Sequence, residues 1–215
     1  GLVPSLRTVT TPEELCRTGV DAAGQGDHPG APGEIAFLQY TSGSTGSPKG
    51  VTLDHGNLLA NIRAWGEAVA LTSADVVVSW LPLYHDMGLI GFVIAPMFHK
   101  VAVTFIPTMA FVRSATLWFE TIHRVRGTIT FAPNFAYALA TKRTKPEQLA
   151  RWDLSCVKAF GCGAEPINSG TMRTFVDTLS KAKLNPNALL PCYGMAEATL
   201  AISFIGMDET LSTDV

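Results

Sequence analysis

IAFLQYTSGSTGSPKG, residues 35–50, is the most unusual stretch of this 215-residue sequence. Its first part, Ile35 to Tyr40, is apolar and aromatic, which predicts a strand. The following segment, Thr41 to Gly50, contains five hydroxyl side chains, three glycines and one lysine. Glycines let the backbone approach a ligand closely, hydroxyl and N–H groups donate hydrogen bonds, and lysine adds a positive charge. This combination predicts a loop that binds a polyphosphate.

Two other interpretations of the loop are weaker. A flexible Gly/Ser linker rarely follows a buried strand and ends in Pro-Lys-Gly. A Walker A loop needs Ser or Thr directly after its lysine, whereas Gly50 follows Lys49 here. The loop is therefore predicted to bind phosphate through the same kinds of groups as a Walker A loop, but it is a different motif.

The rest of the sequence alternates apolar runs with amphipathic segments. Strands are predicted at 51–53, 76–81, 101–106, 128–131, 157–160 and 188–193. Helices are predicted at 54–65, 87–98, 114–124, 134–141, 167–181 and 196–202. This order predicts an α/β fold, with a largely parallel sheet flanked by helices.

Four polar segments follow predicted strands: 41–50, Tyr84-His85-Asp86, 161–166 and 193–197. In parallel α/β sheets, ligands bind beyond the carboxyl ends of the strands. We therefore expect these four segments to meet at one site.

Composition argues against several classes of function. A net charge of −2 and a pI near 6.2 show no excess of positive charge of the kind that binds nucleic acid. The four cysteines have no Cys-x-x-Cys spacing, which predicts reduced thiols rather than a disulfide or a metal site. The most apolar run, Met87 to Phe98, is shorter than the ~20 residues that span a bilayer, so no transmembrane segment is predicted. We expect a globular cytoplasmic protein.

The segment Thr41 to Gly50 resembles the phosphate-binding signature of the adenylate-forming superfamily. That superfamily contains acyl-CoA synthetases, adenylation domains of nonribosomal peptide synthetases, luciferases and fatty acyl-AMP ligases. The resemblance implies that ATP is bound and that its β- and γ-phosphates are held by Thr41, Ser42, Gly43, Ser44, Thr45, Gly46 and Lys49.

Two further segments resemble motifs of the same superfamily. Gly163-Ala164-Glu165-Pro166 would line one face of the adenine pocket, although such a segment is also an ordinary strand-to-helix turn. Tyr193-Gly194-Met195-Ala196-Glu197 would place Tyr193 on the adenine ring and Glu197 on Mg²⁺. Glu197 could instead be a first-turn acid that complements a helix dipole.

Leu81 to Leu89 resembles a third family segment. It implies that His85 lies between the acyl pocket and the nucleotide, where it orients the substrate carboxylate or gates the tunnel. A lone histidine beside an apolar helix is also often structural. Asp86 is expected to cap the following helix.

The amino-acid sequences of these motifs are most similar to those of the fatty acyl-AMP ligases. The pointers are Tyr84 to Leu89, Ala196 in place of threonine, and Ala132 to Tyr137. The resemblance implies that a fatty acid and ATP form acyl-AMP and pyrophosphate, with Mg²⁺ as cofactor. An acyl carrier protein would then receive the acyl group.

The sequence starts Gly-Leu-Val-Pro, which led us to expect a fragment of a longer polypeptide. The expected domains are a lead-in segment and loop at 1–33 and the ATP- and acyl-binding part of an N-terminal AMP-binding domain at 34–215. By the resemblance, a ribose-binding Asp, a hinge and a small C-terminal domain with a catalytic Lys lie beyond Val215. The fragment is therefore predicted to be poorly active alone.

Three alternatives stay open. The parent protein could be an acyl-CoA synthetase, or a non-catalytic module that binds nucleotide or acyl groups. A P-loop phosphotransferase is disfavoured by Gly50 after Lys49. A lipid pocket is suggested by Met87, Leu89, Ile90, Phe92, Phe131 and Phe135, although apolar residues at such spacings are more often core.

Overall fold

Helices and strands alternate along the part of the chain that the computed structural model describes, which is Glu14, residues 30–41, residues 48–207 and Glu209. By its internal contacts the chain forms two units, residues 1–31 and 32–215, and every element below belongs to the second. Most of the lead-in expected at 1–33 lies outside the described residues, and so do Ser42 to Ser47 of the glycine-rich loop.

The elements have the following bounds. The strands are β1 (Ile35–Thr41), β2 (Lys49–Asp54), β3 (Val76–Ser79), β4 (Ala102–Phe105), β5 (Ile129–Ala132), β6 (Ala159–Cys162), β7 (Leu189–Gly194) and β8 (Ala201–Phe204). The α-helices are α1 (His55–Ala68), α2 (Asp86–Leu89), α3 (Ala95–His99), α4 (Thr108–Arg113), α5 (Leu117–Val125), α6 (Asn134–Arg143), α7 (Pro146–Leu149) and α8 (Ser169–Leu179). A π-helical turn, Ile90–Ile94, joins α2 to α3, and 3₁₀ turns lie at Ser180–Ala182, Pro186–Ala188 and Ala196–Ala198.

A six-stranded sheet forms the centre of the second unit, in the order β4-β3-β5-β6-β7-β8. The first five strands are parallel to their neighbours, and β8 runs antiparallel to β7. All residues of β5 and β6 are buried, as expected for strands covered on both faces by helices. The prediction of an α/β fold with a largely parallel sheet is confirmed.

The strand at the head of the glycine-rich loop belongs to a separate, two-stranded sheet. β1 pairs antiparallel with β2, in a register that sets Thr41 opposite Lys49. The loop between them is short, which favours an antiparallel hairpin, because parallel neighbours need a long crossover. The predicted strands at 35–40 and 51–53 are therefore present, but they lie outside the main sheet.

The helix predicted at 196–202 is wrong. A single 3₁₀ turn, Ala196–Ala198, is followed by β8, which pairs with the end of β7. Thr199 separates the two elements with φ 74° and ψ −59°, a conformation that no helical residue adopts.

The apolar helix predicted at 87–98 is present as α2, the π-helical turn and α3. Its amino end differs from the expectation, because His85 is the N-cap residue and Asp86 is the first helical residue. Among the described residues, no helix is long and apolar enough to cross a membrane.

Candidate active site

A cavity of about 640 Å³ lies beyond the carboxyl ends of the central strands. It is bordered by the β1–β2 hairpin, the loop before α2, the end of β7 and the segment leading into β8. Nine of the residues predicted from sequence line it: Thr41, Lys49, His85, Ala164, Tyr193, Gly194, Met195, Ala196 and Glu197. The expected convergence of four segments at one site is thus seen for the described residues.

The remaining predicted residues fall into two groups. Ser42, Gly43, Ser44, Thr45 and Gly46 lie outside the described residues. Gly163, Glu165 and Pro166 are described, but Ala164 is the member of that segment on the cavity wall. A Cβ on Gly163 would lie 2.7 Å from both the carbonyl oxygen and Sγ of Cys192, so this glycine permits close packing of β6 against β7.

The β1–β2 hairpin supplies the cationic side of the cavity. Thr41 and Lys49 face each other across the hairpin at its loop end. The side chain of Lys49 is exposed and forms no hydrogen bond or ion pair with any described residue. Its ammonium group is therefore available to an anion in the cavity.

His85 and Asp86 form a close pair at the start of α2. The Nδ1 atom of His85 lies 2.7 Å from Oδ1 of Asp86, which also accepts a hydrogen bond of 2.6 Å from the Met87 N–H. The hydrogen bond to Asp86 raises the pKa of His85 above its ordinary value, and partial burial offsets part of that rise. Because Nδ1 is engaged by Asp86 and lies 3.2 Å from the Met87 N–H, Nε2 is the ring atom left for a ligand.

Glu165 has a structural partner. Its Oε1 accepts a 2.6 Å hydrogen bond from the backbone N–H of Phe135, in the first turn of α6. A carboxylate at this position satisfies an unpaired N–H group and complements the helix dipole. The neighbouring Ala164 has φ 67°, in the left-handed region that favours glycine.

The loop from Tyr193 to Ala201 forms the wall opposite the hairpin. Tyr193 is 58% exposed, so the ring offers a face to a planar ligand. The loop closes through a hydrogen bond from the Met195 N–H to the Leu200 carbonyl, 2.9 Å long. A Cβ on Gly194 would collide with that carbonyl oxygen, so only glycine fits there. Glu197 is exposed and has no hydrogen bond or ion pair with any described residue.

The inner end of the cavity is apolar. Of the six residues suggested for a lipid pocket, Met87, Phe92 and Phe131 line it, whereas Leu89, Ile90 and Phe135 do not. Further apolar lining was not predicted, and it includes Trp65, Gly91, Leu200 and Phe204. An elongated apolar ligand with a polar head suits this division of the cavity.

Gln39 is a site residue that sequence reasoning missed. It is buried, lines the cavity, and donates a 3.2 Å hydrogen bond from Nε2 to the carbonyl of Tyr84. It thus connects the hairpin that carries Lys49 with the loop that carries His85. The available signal was an amide side chain inside an apolar strand, where a polar group needs a partner.

The described cysteines are free thiols. Cys162 is buried, and Cys156 and Cys192 are partly buried. Burial raises the pKa of both Cys162 and Cys192 to about 12, so each stays protonated at neutral pH.

The acidic side chains at the cavity suit a cation that is coordinated mainly by the phosphate oxygens of a bound nucleotide. Within the described ranges, no group of three or more His, Cys, Asp or Glu side chains could hold a metal ion. Of the described residues that line the cavity, Glu197 is the one whose carboxylate has no partner within the described ranges. Mg²⁺ typically takes one or two carboxylates and completes its octahedral shell with phosphate oxygens and water. The donor set therefore fits a nucleotide-bound Mg²⁺.

The sequence of the chain is similar to those of known ligases and synthetases. The chain is 40% identical over 172 residues to the medium-chain-fatty-acid–acyl-carrier-protein ligase TtuA of Teredinibacter turnerae, covering 80% of the chain and 27% of that protein. It is 38% identical over 184 residues to a Caulobacter vibrioides protein provisionally named an acyl-CoA synthetase, covering 85% of the chain and 32% of that protein.

A solved structure of a related ligase has the same fold as the chain. The fatty acyl-adenylate ligase of L. pneumophila, in complex with acyl adenylate and pyrophosphate, superposes with a TM-score of 0.81 at 36% identity, covering 84% of the chain and 32% of that protein. The chain thus spans about a third or less of the length of these relatives. The family model for AMP-binding enzymes matches residues 4–214. The chain therefore belongs to the AMP-binding enzyme family.

Proposed function

We propose that this chain supplies the ATP- and fatty-acid-binding part of an enzyme that converts a fatty acid and ATP into acyl-AMP and pyrophosphate. One observation carries the proposal: on the polar wall of a single cavity, beside His85, stand Lys49 and Glu197, whose side chains have no partner among the described residues, and aromatic and aliphatic side chains lie at its inner end. ATP and the carboxylate of a fatty acid would meet where the two regions join.

The polar wall suits a nucleotide. Lys49 would neutralise the β- and γ-phosphates, together with Thr41 and the hydroxyl-rich loop that starts after it. The Tyr193 ring would stack on adenine, and the backbone around Ala164 would border the base. Gly163 and Pro166 would shape that border, while Glu165 would hold it against α6 through the Phe135 N–H.

The reaction is a displacement at phosphorus. A carboxylate oxygen of the fatty acid bonds to the α-phosphorus of ATP, the bond between that phosphorus and the bridging oxygen breaks, and pyrophosphate leaves with the electron pair. The protein would contribute position and charge: His85 would orient the carboxylate through Nε2, and Lys49 would stabilise the leaving group. Mg²⁺, held by Glu197, would supply further charge neutralisation on the phosphates.

The acceptor of the acyl group is the finer part of the proposal. Because TtuA is named as a ligase of fatty acids to acyl carrier protein, we assign the thiol of an acyl carrier protein as acceptor. The provisional name of the Caulobacter relative favours coenzyme A instead, as a second candidate.

The test uses the complete polypeptide that contains these residues. Pyrophosphate release is measured with ATP, Mg²⁺ and a dodecanoate-type acid, and the products are identified with and without coenzyme A. Accumulation of acyl-AMP that ignores coenzyme A is the expected result. Conversion of the product to acyl-CoA would instead identify the protein as an acyl-CoA synthetase. Absence of pyrophosphate release with every fatty acid tested would favour a non-catalytic binding module.

A matched pair of lysine variants checks the site itself. Lys49→Ala should reduce pyrophosphate release by a factor on the order of 100, the size expected for loss of a charged group that stabilises a transition state. Lys142→Ala is the control, because Lys142 is also exposed but does not line the cavity. Equal activity of the two variants would contradict the role of Lys49.

A further inference from the structure

Asn61, on α1, makes three hydrogen bonds to the loop that carries Glu197. Its Nδ2 donates to the carbonyl of Ala198 at 3.2 Å and to the carbonyl of Ala201 at 2.8 Å. Its Oδ1 accepts from the Ala201 N–H at 3.0 Å. One amide side chain thus binds the backbone on both sides of Thr199.

The loop needs external support at this point. Thr199 has φ 74° and ψ −59°, the conformation of a strained γ-turn, and it is a β-branched residue in a region where such residues are outliers. A conformation of this kind persists only where surrounding contacts determine it. Asn61 supplies such contacts from a neighbouring helix, whose own start is fixed by a capping box between Asp54 and Asn57.

The position of the Glu197 carboxylate depends on this backbone. Glu197 has no side-chain partner among the described residues that would orient it. It also lines a second cavity, of about 420 Å³, between α1 and the loop. A loop that shifted or lost its turn could therefore direct the carboxylate to this second cavity and away from the nucleotide cavity.

We propose that Asn61 is a positioning residue that fixes the 197–201 turn, so that the Glu197 carboxylate faces the cation bound with the nucleotide. The cation part rests on the proposed function above. The turn part rests only on the three hydrogen bonds and on the conformation of Thr199. Asn61 itself would contact neither substrate.

The first experiment tests the turn in the 215-residue chain by hydrogen exchange. Asn61→Ala removes all three bonds, and we expect the Ala201 amide to exchange at least tenfold faster than in the unmodified chain. Asn61→Asp keeps an acceptor for the Ala201 N–H but sets a carboxylate oxygen against the carbonyls of Ala198 and Ala201, so exchange faster than in the unmodified chain is again expected. Glu67→Ala is the control, because Glu67 is an exposed residue of the same helix and its side chain has no partner in the part of the chain that the structure describes.

The second experiment tests the cation in the complete polypeptide. Mutation of residues that orient a metal ligand typically costs ~10 to 100-fold in metal affinity or activity. We therefore expect Asn61→Ala to raise the Mg²⁺ concentration for half-maximal pyrophosphate release about tenfold, while the KM for the fatty acid stays unchanged. Where Asn61→Ala does not fold, Asn61→Asp carries the same test, with a shift in the same direction.

The outcomes separate the two proposals. An unchanged exchange rate of the Ala201 amide, or the same Mg²⁺ dependence as Glu67→Ala, would overturn the role of Asn61. Equal losses in Mg²⁺ and fatty-acid dependence would also overturn it, since they indicate general damage. Absence of pyrophosphate release from the unmodified polypeptide would overturn the proposed function and the cation role, and hydrogen exchange would then decide the turn alone.

Discussion

Ala164 holds a backbone conformation that alanine rarely adopts, and it does so on the wall of the cavity. Its φ of 67° brings Cβ close to the following carbonyl oxygen. The turn after β6 requires this geometry, because Gly163 must pack against β7 and Glu165 must reach the start of α6. The strain is therefore local and can be relieved by one substitution.

We predict that Ala164→Gly stabilises the protein by about 1 kcal/mol, because glycine adopts a positive φ without steric cost. Urea unfolding measures the effect. The matched control is Ala150→Gly, where φ is −66° and where the added freedom of the unfolded chain should destabilise the protein by roughly 0.5–1 kcal/mol. A loss of stability in both variants would contradict the assigned strain.

His85 makes stability depend on pH. Its pKa in the folded protein is raised by the hydrogen bond to Asp86. The resulting stability is fully present below the pKa of the unfolded state and is lost as the pH rises through the folded-state pKa. We expect the difference in unfolding free energy between the unmodified protein and His85→Gln to shrink as the pH rises above about 6.5.

Titration of the His85 ring by NMR provides the control for this effect. Asp86→Asn removes the carboxylate, so the pKa of His85 should fall toward its ordinary value. A difference in unfolding free energy that grows with pH, or an unchanged His85 titration in Asp86→Asn, would contradict the assigned hydrogen bond.

Sequence reasoning found residues whose signal is local and missed those whose partners are distant. Lys49, His85, Tyr193 and Glu197 belong to short motifs, so a shared site could be predicted for them, and all four line the cavity. Their roles stay predictions. The hydrogen bonds of Asn61 reach residues 137 and 140 positions further along the chain. No local sequence pattern predicts these hydrogen bonds, because their geometry depends on how α1 packs against β8.

The end of β7 shows why one element was assigned wrongly. Ala196 to Ile202 contains good helix formers, and local propensity therefore favours a helix. In the fold, β8 pairs antiparallel with β7 across an irregular register at Tyr193 and Gly194. Pairing with a strand outweighs weak local propensity, and a sequence window cannot detect that competition.

Gly194 makes this pairing possible. We predict that Gly194→Ala destabilises the protein by at least ~1–3 kcal/mol, the usual cost of overpacking, because its Cβ would collide with the Leu200 carbonyl. Thermal unfolding measures the loss, and Gly33→Ala is the control, since a Cβ placed there meets no heavy atom of the described residues within 4 Å, its chain neighbours aside. A Gly194→Ala protein as stable as the control would contradict the described approach of β7 and β8.

The π-helical turn at Ile90–Ile94 shapes the apolar end of the cavity. Such turns are frequent at functional sites, and this one brings Gly91 and Phe92 to the apolar end of the cavity. A Cβ on Gly91 would lie 3.3 Å from Cδ2 of Leu200, so a larger side chain must extend into the remaining space.

We predict that Gly91→Leu shifts the preference of the enzyme toward shorter fatty acids, because the new side chain fills the apolar end. The measurement is pyrophosphate release against a series of acids of increasing length, by the complete polypeptide. Gly33→Leu serves as the control and should keep the original preference. An unchanged length profile for Gly91→Leu would contradict the placement of the acyl chain in this part of the cavity.

At the scale of the whole molecule, the parallel sheet could be predicted and the separate hairpin could not. Buried parallel strands leave continuous apolar runs, such as residues 76–81 and 128–131, that are visible without any neighbour. The strand at 35–40 has the same appearance, yet its one partner among the described strands is β2. Local sequence therefore predicted that this strand exists, and the choice of sheet depended on the short return from Thr41 to Lys49.

The central claim is that one cavity unites ATP and a fatty acid for attack of the carboxylate on the α-phosphorus. The most direct measurement uses a fatty acid labelled with ¹⁸O in its carboxylate, the complete polypeptide, ATP and Mg²⁺, with hydroxylamine to cleave the product at its carbonyl carbon. The account predicts that the released AMP carries ¹⁸O and that pyrophosphate does not. Unlabelled AMP, or ¹⁸O in inorganic phosphate, would contradict it, since the latter indicates attack on the γ-phosphorus.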